Sequence, residues 1–194
     1  MKKPAATPEE QEARRRRGRM SRNKGARAEL EVAALVQEWW QEVEPGVFFK
    51  RVPLSGGWAN AAMRKNKGSS GDLTTDAKRF PFVVEVKRNE EFSLSRVLMA
   101  TAEEKPHVGP VWKYWAQARE QAEEAGGIPL LVFRNSGAQW WCMVPATRYM
   151  HARVGRPGFV IRGAKPEDRA YLVEFSKLLG IAPRVFLAPV AKTG

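Results

Sequence analysis

Cysteine is almost missing from this 194-residue sequence. Cys142 stands alone, so no internal disulfide can form, and the chain fits a reducing compartment. Histidine is nearly as scarce: His107 and His151 are isolated, which argues against a zinc centre. No Gly-x-x-x-x-Gly-Lys-Ser/Thr segment occurs, so a nucleoside triphosphate has no phosphate loop to bind. Apolar runs reach only about six residues, against roughly twenty needed to cross a bilayer. The first residues are charged and lack an apolar segment, so no signal peptide is expected either. These absences predict a soluble, cytoplasmic protein with no membrane partner. Acidic residues are also in deficit, with 21 Asp and Glu against 33 Lys and Arg, giving a net charge of +12 and a pI near 10.2. Such an excess says nothing about fold but makes a polyanion the natural partner.

The excess is uneven. Residues 1–27 hold ten Lys/Arg against three Glu, so the tail is strongly basic and the body mildly so. Residues 1–21 contain Arg14-Arg15-Arg16-Arg17-Gly18-Arg19 and almost nothing apolar to bury, which predicts a disordered basic arm. Phosphate contact is the functional expectation for it; a solubilising or localisation tail is the alternative. A chain of this length holds one domain with a proper core plus a small appendage.

From about Lys24 to Glu42 the periodicity is helical: Val32, Ala33, Val36 and Trp40 share one face, with Leu35 and Trp39 on its flank. Glu29 falls within that face, whereas Glu31, Glu38 and Glu42 lie opposite. The wheel allows Glu29 to be either a buried carboxylate needing a cation or an ordinary first-turn acid. Val47–Val52 reads as a first strand ended by Pro53. The loop that follows, Ser55 to Ser70, is rich in Gly, Ser and Asn and carries Arg64, Lys65 and Lys67; it is expected to be mobile, with backbone N–H groups able to meet phosphate. Leu73–Thr75 should form a second strand and pair as a hairpin with a third. Residues 88–110 read as an irregular insertion. A helix over Val111–Ala125 places Trp112, Trp115, Ala118 and Ala122 on one side, core or dimer contacts rather than a base-stacking platform, and Gly126-Gly127 stops it. Ile128–Phe133 and Gln139–Val144 should be the last two strands, joined by a turn at Asn135-Ser136-Gly137. From Pro145 a small extension should end in a helix near Glu167–Leu179, capped by Gly180. The expected fold class is α/β, one mixed sheet with a helix on each face.

The third strand, Phe82-Val83-Val84-Glu85-Val86-Lys87, is the centre of interest. Its apolar, β-branched character reads as buried on both faces, yet Glu85 and Lys87 point to one side, about 7 Å apart, with Phe82, Val84 and Val86 on the other. Charges buried in such a strand are costly unless paired with each other, a metal or a substrate. The adjoining Gly71-Asp72 can be brought beside Glu85 by strand pairing. Mg²⁺ needs only one or two carboxylates plus substrate phosphate. Asp72, Glu85 and the Val86 carbonyl, with Glu29 directly or through water, could therefore hold one or two Mg²⁺ ions, with Mn²⁺ as substitute. Lys87 would orient or deprotonate an attacking water, or offset charge in the transition state. Glu103-Glu104-Lys105 matches the same Glu-x-Lys spacing but lies in a polar stretch with no strand around it.

Asp72 followed by Glu85-Val86-Lys87 resembles the PD-(D/E)xK nuclease superfamily, with Gly71 where the motif usually has proline. Lys24-Gly25-Ala26-Arg27-Ala28-Glu29, Arg51-Val52-Pro53-Leu54-Ser55-Gly56 and Gly126-Gly127-Ile128-Pro129-Leu130-Leu131 are similar to the archaeal-type Holliday junction resolvases, including those carried by phages of thermophiles. The resemblance covers roughly residues 22–144, leaving 1–21 as the arm and 145–194 as a C-terminal extension. It implies a restriction-endonuclease-like mixed sheet flanked by helices and a catalytic set of Glu29, Asp72, Glu85 and Lys87, with Ser55 in a functionally important loop position. It further implies a homodimer that cuts four-way DNA junctions and leaves 5′-phosphate ends, in the host cytoplasm where the gene is phage-borne. Arg22, Lys24, Arg27, Arg51, Arg64, Lys65, Lys67 and Arg88 are the candidate DNA contacts. The alternatives are a restriction-like or repair endonuclease of the same fold, and a non-catalytic DNA-binding module in which Glu85 and Lys87 form a buried ion pair.

Overall fold

A computed structural model of the chain describes residues 7–52, 70–90, 92–95, 97, 110–135, 137–154, 159–162 and 169–187. Its first helix, α1 (Pro8–Trp40), starts far earlier than the apolar periodicity requires. The start is set locally. Thr7 and Glu10 form a reciprocal capping box, Pro8 sits at the first helical position, and Glu9 and Glu10 complement the helix dipole. The Glu, Gln, Ala and Arg that follow are good helix formers. The segment expected to be a disordered arm is therefore a helical extension whose first buried side chain is Ala28. From there Val32, Ala33, Val36, Trp39 and Trp40 are buried, with Glu29 among them.

Strand β1 (Phe49–Arg51) pairs antiparallel with β2 (Leu73–Thr75), Lys50 opposite Thr74. Strand β3 (Phe82–Arg88) runs parallel to β4 (Ile128–Arg134), joined by helix α2 (Pro110–Ala125). β5 (Trp141–Pro145) returns antiparallel to β4, and α3 (Arg148–Val154) follows. The chain then adds β6 (Phe159–Arg162), β7 (Arg169–Glu174), the short helix α4 (Phe175–Leu179) and a 3-10 turn at Pro183–Leu187. The larger sheet has the order β3-β4-β5-β7-β6.

Alternation along these strands divides the core in two. Phe82, Val84 and Val86 of β3, Leu130 and Val132 of β4 and Cys142 and Val144 of β5 pack towards α1. Leu131, Phe133, Met143 and Leu172 pack towards Val111, Trp115 and Ala118 of α2. A mixed sheet with helices on both faces is the α/β architecture expected. Cys142 is fully buried, and burial pushes its thiol pKa upward, consistent with an inert core residue.

Two expectations are corrected. The hairpin of β2 with β3 does not form; β2 pairs with β1, and the segment leading into β2 meets β3 at a parallel bridge, Gly71 to Val84. Asp76–Pro81 returns the chain through a turn at Lys78-Arg79, whose backbone N–H groups donate to the Glu44 carboxylate and so tie the connection to the chain just after α1. Phe80 is anchored there between Trp40, Phe49 and Phe82, at ring separations of 5.1, 4.8 and 5.7 Å. The second correction is that β5 is not the last strand. β7 lies beside it, and the helix expected over Glu167–Leu179 is β7 followed by α4, with Gly180 as the C-cap. Ala170-Tyr171-Leu172-Val173 is buried on both faces, Tyr171 and Val173 towards α1 and Ala170 and Leu172 towards α2, which a strand satisfies and a one-faced helix would not.

The stretch after Pro145 is thus part of the core. A chain ended at Pro145 loses Tyr171, Leu172, Val173, Phe175, Leu178 and Phe186 from it. At about 2–5 kcal/mol for each large buried side chain, the loss exceeds a typical total stability of about 5–15 kcal/mol. Urea titration followed by tryptophan fluorescence should show no cooperative transition for that truncation; a sharp transition would return residues 145–194 to the status of an appendage.

Candidate active site

β3 is an end strand of the larger sheet, and its second face presents Glu85 and Lys87. Glu85 is completely buried and Asp72 is 5% exposed. Asp72 is clamped between strands: its N–H donates to the Val84 carbonyl at 2.8 Å, and its carbonyl accepts from the Val52 N–H at 2.8 Å. Its side-chain Oδ2 accepts from the Val86 N–H at 2.9 Å. That approach depends on Gly71, which has φ +85° and whose Cβ, if present, would lie 2.5 Å from the Val84 carbonyl oxygen. Glycine at this position is a requirement of close contact and of the left-handed backbone.

Lys87 joins the two acids. Its Nζ is ion-paired with Glu85 Oε1 and lies 3.7 Å from Asp72 Oδ2. Gln117 of α2 donates from Nε2 to the same Glu85 oxygen at 2.7 Å. The Tyr114 ring centroid is 5.7 Å from Lys87 Nζ, and the Tyr114 hydroxyl accepts from Asn89 at 3.3 Å. The other Glu85 oxygen, Oε2, is buried with no hydrogen-bond partner.

Burial, reinforced by the Asp72 charge and only partly offset by Lys87, pushes the Glu85 carboxyl from 4.5 up to about 7. Burial pulls Lys87 down, but Glu85 and Asp72 outweigh it, so its ammonium is held above the usual lysine range. Above about pH 7, where Glu85 is ionised, two carboxylates and one ammonium leave one negative charge in excess inside the protein. With an orphaned carboxylate oxygen beside it, this donor set fits a hard, oxygen-seeking divalent cation.

Glu29 is buried at 9% exposure, resolving the ambiguity of the wheel in favour of an inward carboxylate. Its Oε2 accepts from Arg51 Nε at 2.7 Å, and its charge contributes to the upward push on Glu85. Among the described residues, no three His, Cys, Asp or Glu side chains form a group that could hold a metal. The structure therefore brings together Asp72, Glu85 and Lys87, with Glu29 near enough to be felt but turned to Arg51. Val86 lies between Glu85 and Lys87 along the strand, with its side chain buried on the opposite face, towards α1.

Of the candidate DNA contacts, Arg22, Lys24 and Arg27 lie along α1, with Lys24 paired to Glu90. Arg51 is engaged by Glu29, and Arg88 is half-buried at the end of β3. Ser55, Arg64, Lys65 and Lys67, the loop expected to be mobile up to its last residue, His107 and the competing Glu103-Glu104-Lys105 match lie outside the described residues; Ser70, at the end of that loop, is buried and its hydroxyl donates to the Gln121 carbonyl at 3.2 Å. Trp115 is core, as expected. Sequence reasoning missed Gln117 and Tyr114. Their signal was faint: they sit at i, i+3 on the flank of the Trp115, Ala118, Ala122 stripe, the side that meets the edge of β3.

Residues 20–163 match the family model described as "Phage putative PDDEXK endonuclease". No curated protein matches the chain. Among solved structures it is similar to Hjc of Archaeoglobus fulgidus, a Holliday junction resolvase, with 16% identity and a TM-score of 0.37 over 81% of this chain and 89% of that one.

Two outcomes follow from this geometry. Gly71→Ala forces a side chain into a positive-φ position against the Val84 carbonyl, and a lost stability of about 1–3 kcal/mol is expected in urea denaturation; an unchanged midpoint would show that the contact relaxes freely. The second concerns pH. Because Glu85 takes its proton more readily folded than unfolded, the protein without metal should lose stability as pH rises from about 4.5 to about 7. Glu85→Gln has no such proton to lose. In EDTA its melting temperature should gain on that of the parent across this window and then run parallel above it. A constant difference at all pH values would mean that the carboxyl is not raised.

Proposed function

We propose that this chain, which belongs to the phage PDDEXK endonuclease family, is an endodeoxyribonuclease that cuts four-way DNA junctions by metal-dependent phosphodiester hydrolysis. The observation that carries the chemistry is the buried pair Asp72 and Glu85 bridged by Lys87 at the edge of the sheet. Asp72, Glu85 and the Val86 carbonyl, with Glu29 directly or through water, would hold one or two Mg²⁺ ions, Mn²⁺ substituting. Bound there, the metal would supply Lewis-acid stabilisation of the phosphate charge and lower the pKa of water.

The protein's own groups do the positioning. The Val86 N–H holds one oxygen of Asp72, and Gln117 holds one oxygen of Glu85, so the remaining carboxylate oxygens keep fixed directions. Lys87 retains its proton, which suits it to hold the attacking water and to offset charge on the phosphoryl oxygens more than to act as base. Water attacks phosphorus in line, the P–O3′ bond breaks, and the products carry a 5′-phosphate and a 3′-hydroxyl. Arg51 neutralises Glu29 until DNA or a cation competes for one of them.

Junction preference is supported by the resolvase-like segments around Glu29, Arg51 and Gly126 and by basic side chains that read phosphate positions rather than base edges. Symmetric cutting of two strands requires two sites, hence a homodimer. The test uses a synthetic four-way junction in Mg²⁺ under single-turnover conditions. Asp72→Asn, Glu85→Gln and Lys87→Met should each slow cleavage by about 10²–10⁴-fold with junction affinity little changed. Near-normal cutting by any one of them removes that residue from the mechanism. Equal cutting of linear, nicked or flap DNA would redirect the assignment to a restriction-like or repair enzyme, and binding without any metal-stimulated cleavage would leave a DNA-binding module.

A further inference from the structure

The basic arm and the candidate catalytic glutamate are parts of one unbroken helix. Pro8–Trp40 carries Arg14, Arg15, Arg16, Arg17, Arg19 and Arg22 on its solvent-exposed N-terminal half and Glu29 on its buried half. Four consecutive arginines at 100° per residue surround the helix with positive charge, so no single face is reserved for packing. Among the described residues, no side chain before Ala28 is buried. Arg14 and Arg15 also repel Arg17 and Arg19 at helical i, i+3 and i, i+4 spacings. A helix held by its cap, without tertiary cover and against its own charge, is suited to a polyanion that removes the repulsion.

Resting on the nuclease assignment above, we infer that the N-terminal half of α1 is a rigid DNA-binding rod that grips duplex phosphates at a fixed distance from the cut. Arg17 and Arg14 lie 12 and 15 residues before Glu29 in the same helix, which at a rise of about 1.5 Å per residue is about 18–22 Å. With phosphates about 3.4 Å apart along each strand, that helical span corresponds to roughly seven base pairs from Glu29. A flexible tail of the same charge would have no such fixed span.

Gly18 separates a rod from a tail without changing charge. A Cβ at Gly18 would meet nothing within 4 Å, so Gly18→Ala fits and favours the helix. Gly18→Pro removes the bond from residue 18 to the Arg14 carbonyl and clashes with it, yet proline is tolerated as the first residue of the helix that continues towards Glu29.

The experiment compares the full-length parent, Gly18→Ala, Gly18→Pro and the fourfold Arg14→Ala, Arg15→Ala, Arg16→Ala, Arg17→Ala variant. Affinity is measured without metal for four-way junctions with arms of about four to twenty base pairs, a range that brackets the reach set by the helical rise, at several salt concentrations. Cleavage of the same DNA in Mg²⁺ is measured alongside, and circular dichroism follows helix content. Gly18→Ala should bind at least as tightly as the parent. Gly18→Pro and the fourfold variant should both weaken binding about tenfold, with a salt slope shallower by about 0.9 for each phosphate that is no longer neutralised. Both differences should vanish on arms too short to reach the rod, while cleavage at saturating enzyme persists. Parent-like affinity of Gly18→Pro with a weak fourfold variant would overturn rigidity, and parent-like affinity of the fourfold variant would overturn phosphate binding by the arginines. Failure of the parent to bind or cut any DNA would instead overturn the nuclease assignment.

Discussion

The constraint on which this molecule turns is the placement of two carboxylates and one ammonium in a strand that is otherwise hydrocarbon. Glu85 is fully buried with one oxygen lacking a hydrogen bond, and the same lysine, Lys87, is shared between it and Asp72. A core built only for stability would put apolar residues there, since buried ion pairs rarely outperform them. Several local features make sense only as supports for this arrangement. Gly71 lets the backbone reach Val84, the Val86 N–H fixes Asp72, and Gln117 reaches over from α2 to fix Glu85. Each comes from a different segment, so the site is assembled only when β3, its bridge to Gly71 and helix α2 are all in register.

The edge position of β3 in the larger sheet explains how a buried cluster can still meet a macromolecular substrate. Towards α1 the strand presents Phe82, Val84 and Val86 to the core, which fixes its register, because a slip of one residue would exchange that face with Glu85 and Lys87. On the other side β4 supplies the parallel partner. Beyond β5, the strand β7 extends the sheet, so the C-terminal segment contributes to the rigidity against which β3 is held.

Much of this is legible in the sequence, for identifiable reasons. β2 and β3 can be read to within a residue because β-branched and aromatic runs bounded by Asp and Pro leave little choice, and the odd charges at Glu85 and Lys87 stand out against them. Glu29 is half legible: the helical wheel puts it on the buried face, but a wheel does not say what neutralises it, and Arg51 lies 22 residues away. The hairpin is misleading because adjacency suggests strand pairing, whereas Glu44 and Phe80 divert the connection through contacts distant in sequence. β7 is obscure because Ala170–Val173 is an apolar run too short for periodicity to separate strand from helix. The arm deceives because composition argues against burial, and burial is not what makes that helix; its cap does.

Helix α1 joins these themes into one physical consequence. Glu29 is held by Arg51 while its charge raises the proton affinity of Glu85, so the site without a cation carries mutual repulsion among its acids that Lys87 and Arg51 only partly relieve. Anything that adds positive charge between Asp72 and Glu85 competes with Lys87 for both, and anything polyanionic competes with Glu29 for Arg51, so the charge balance of the cluster is set by which partner each cation keeps.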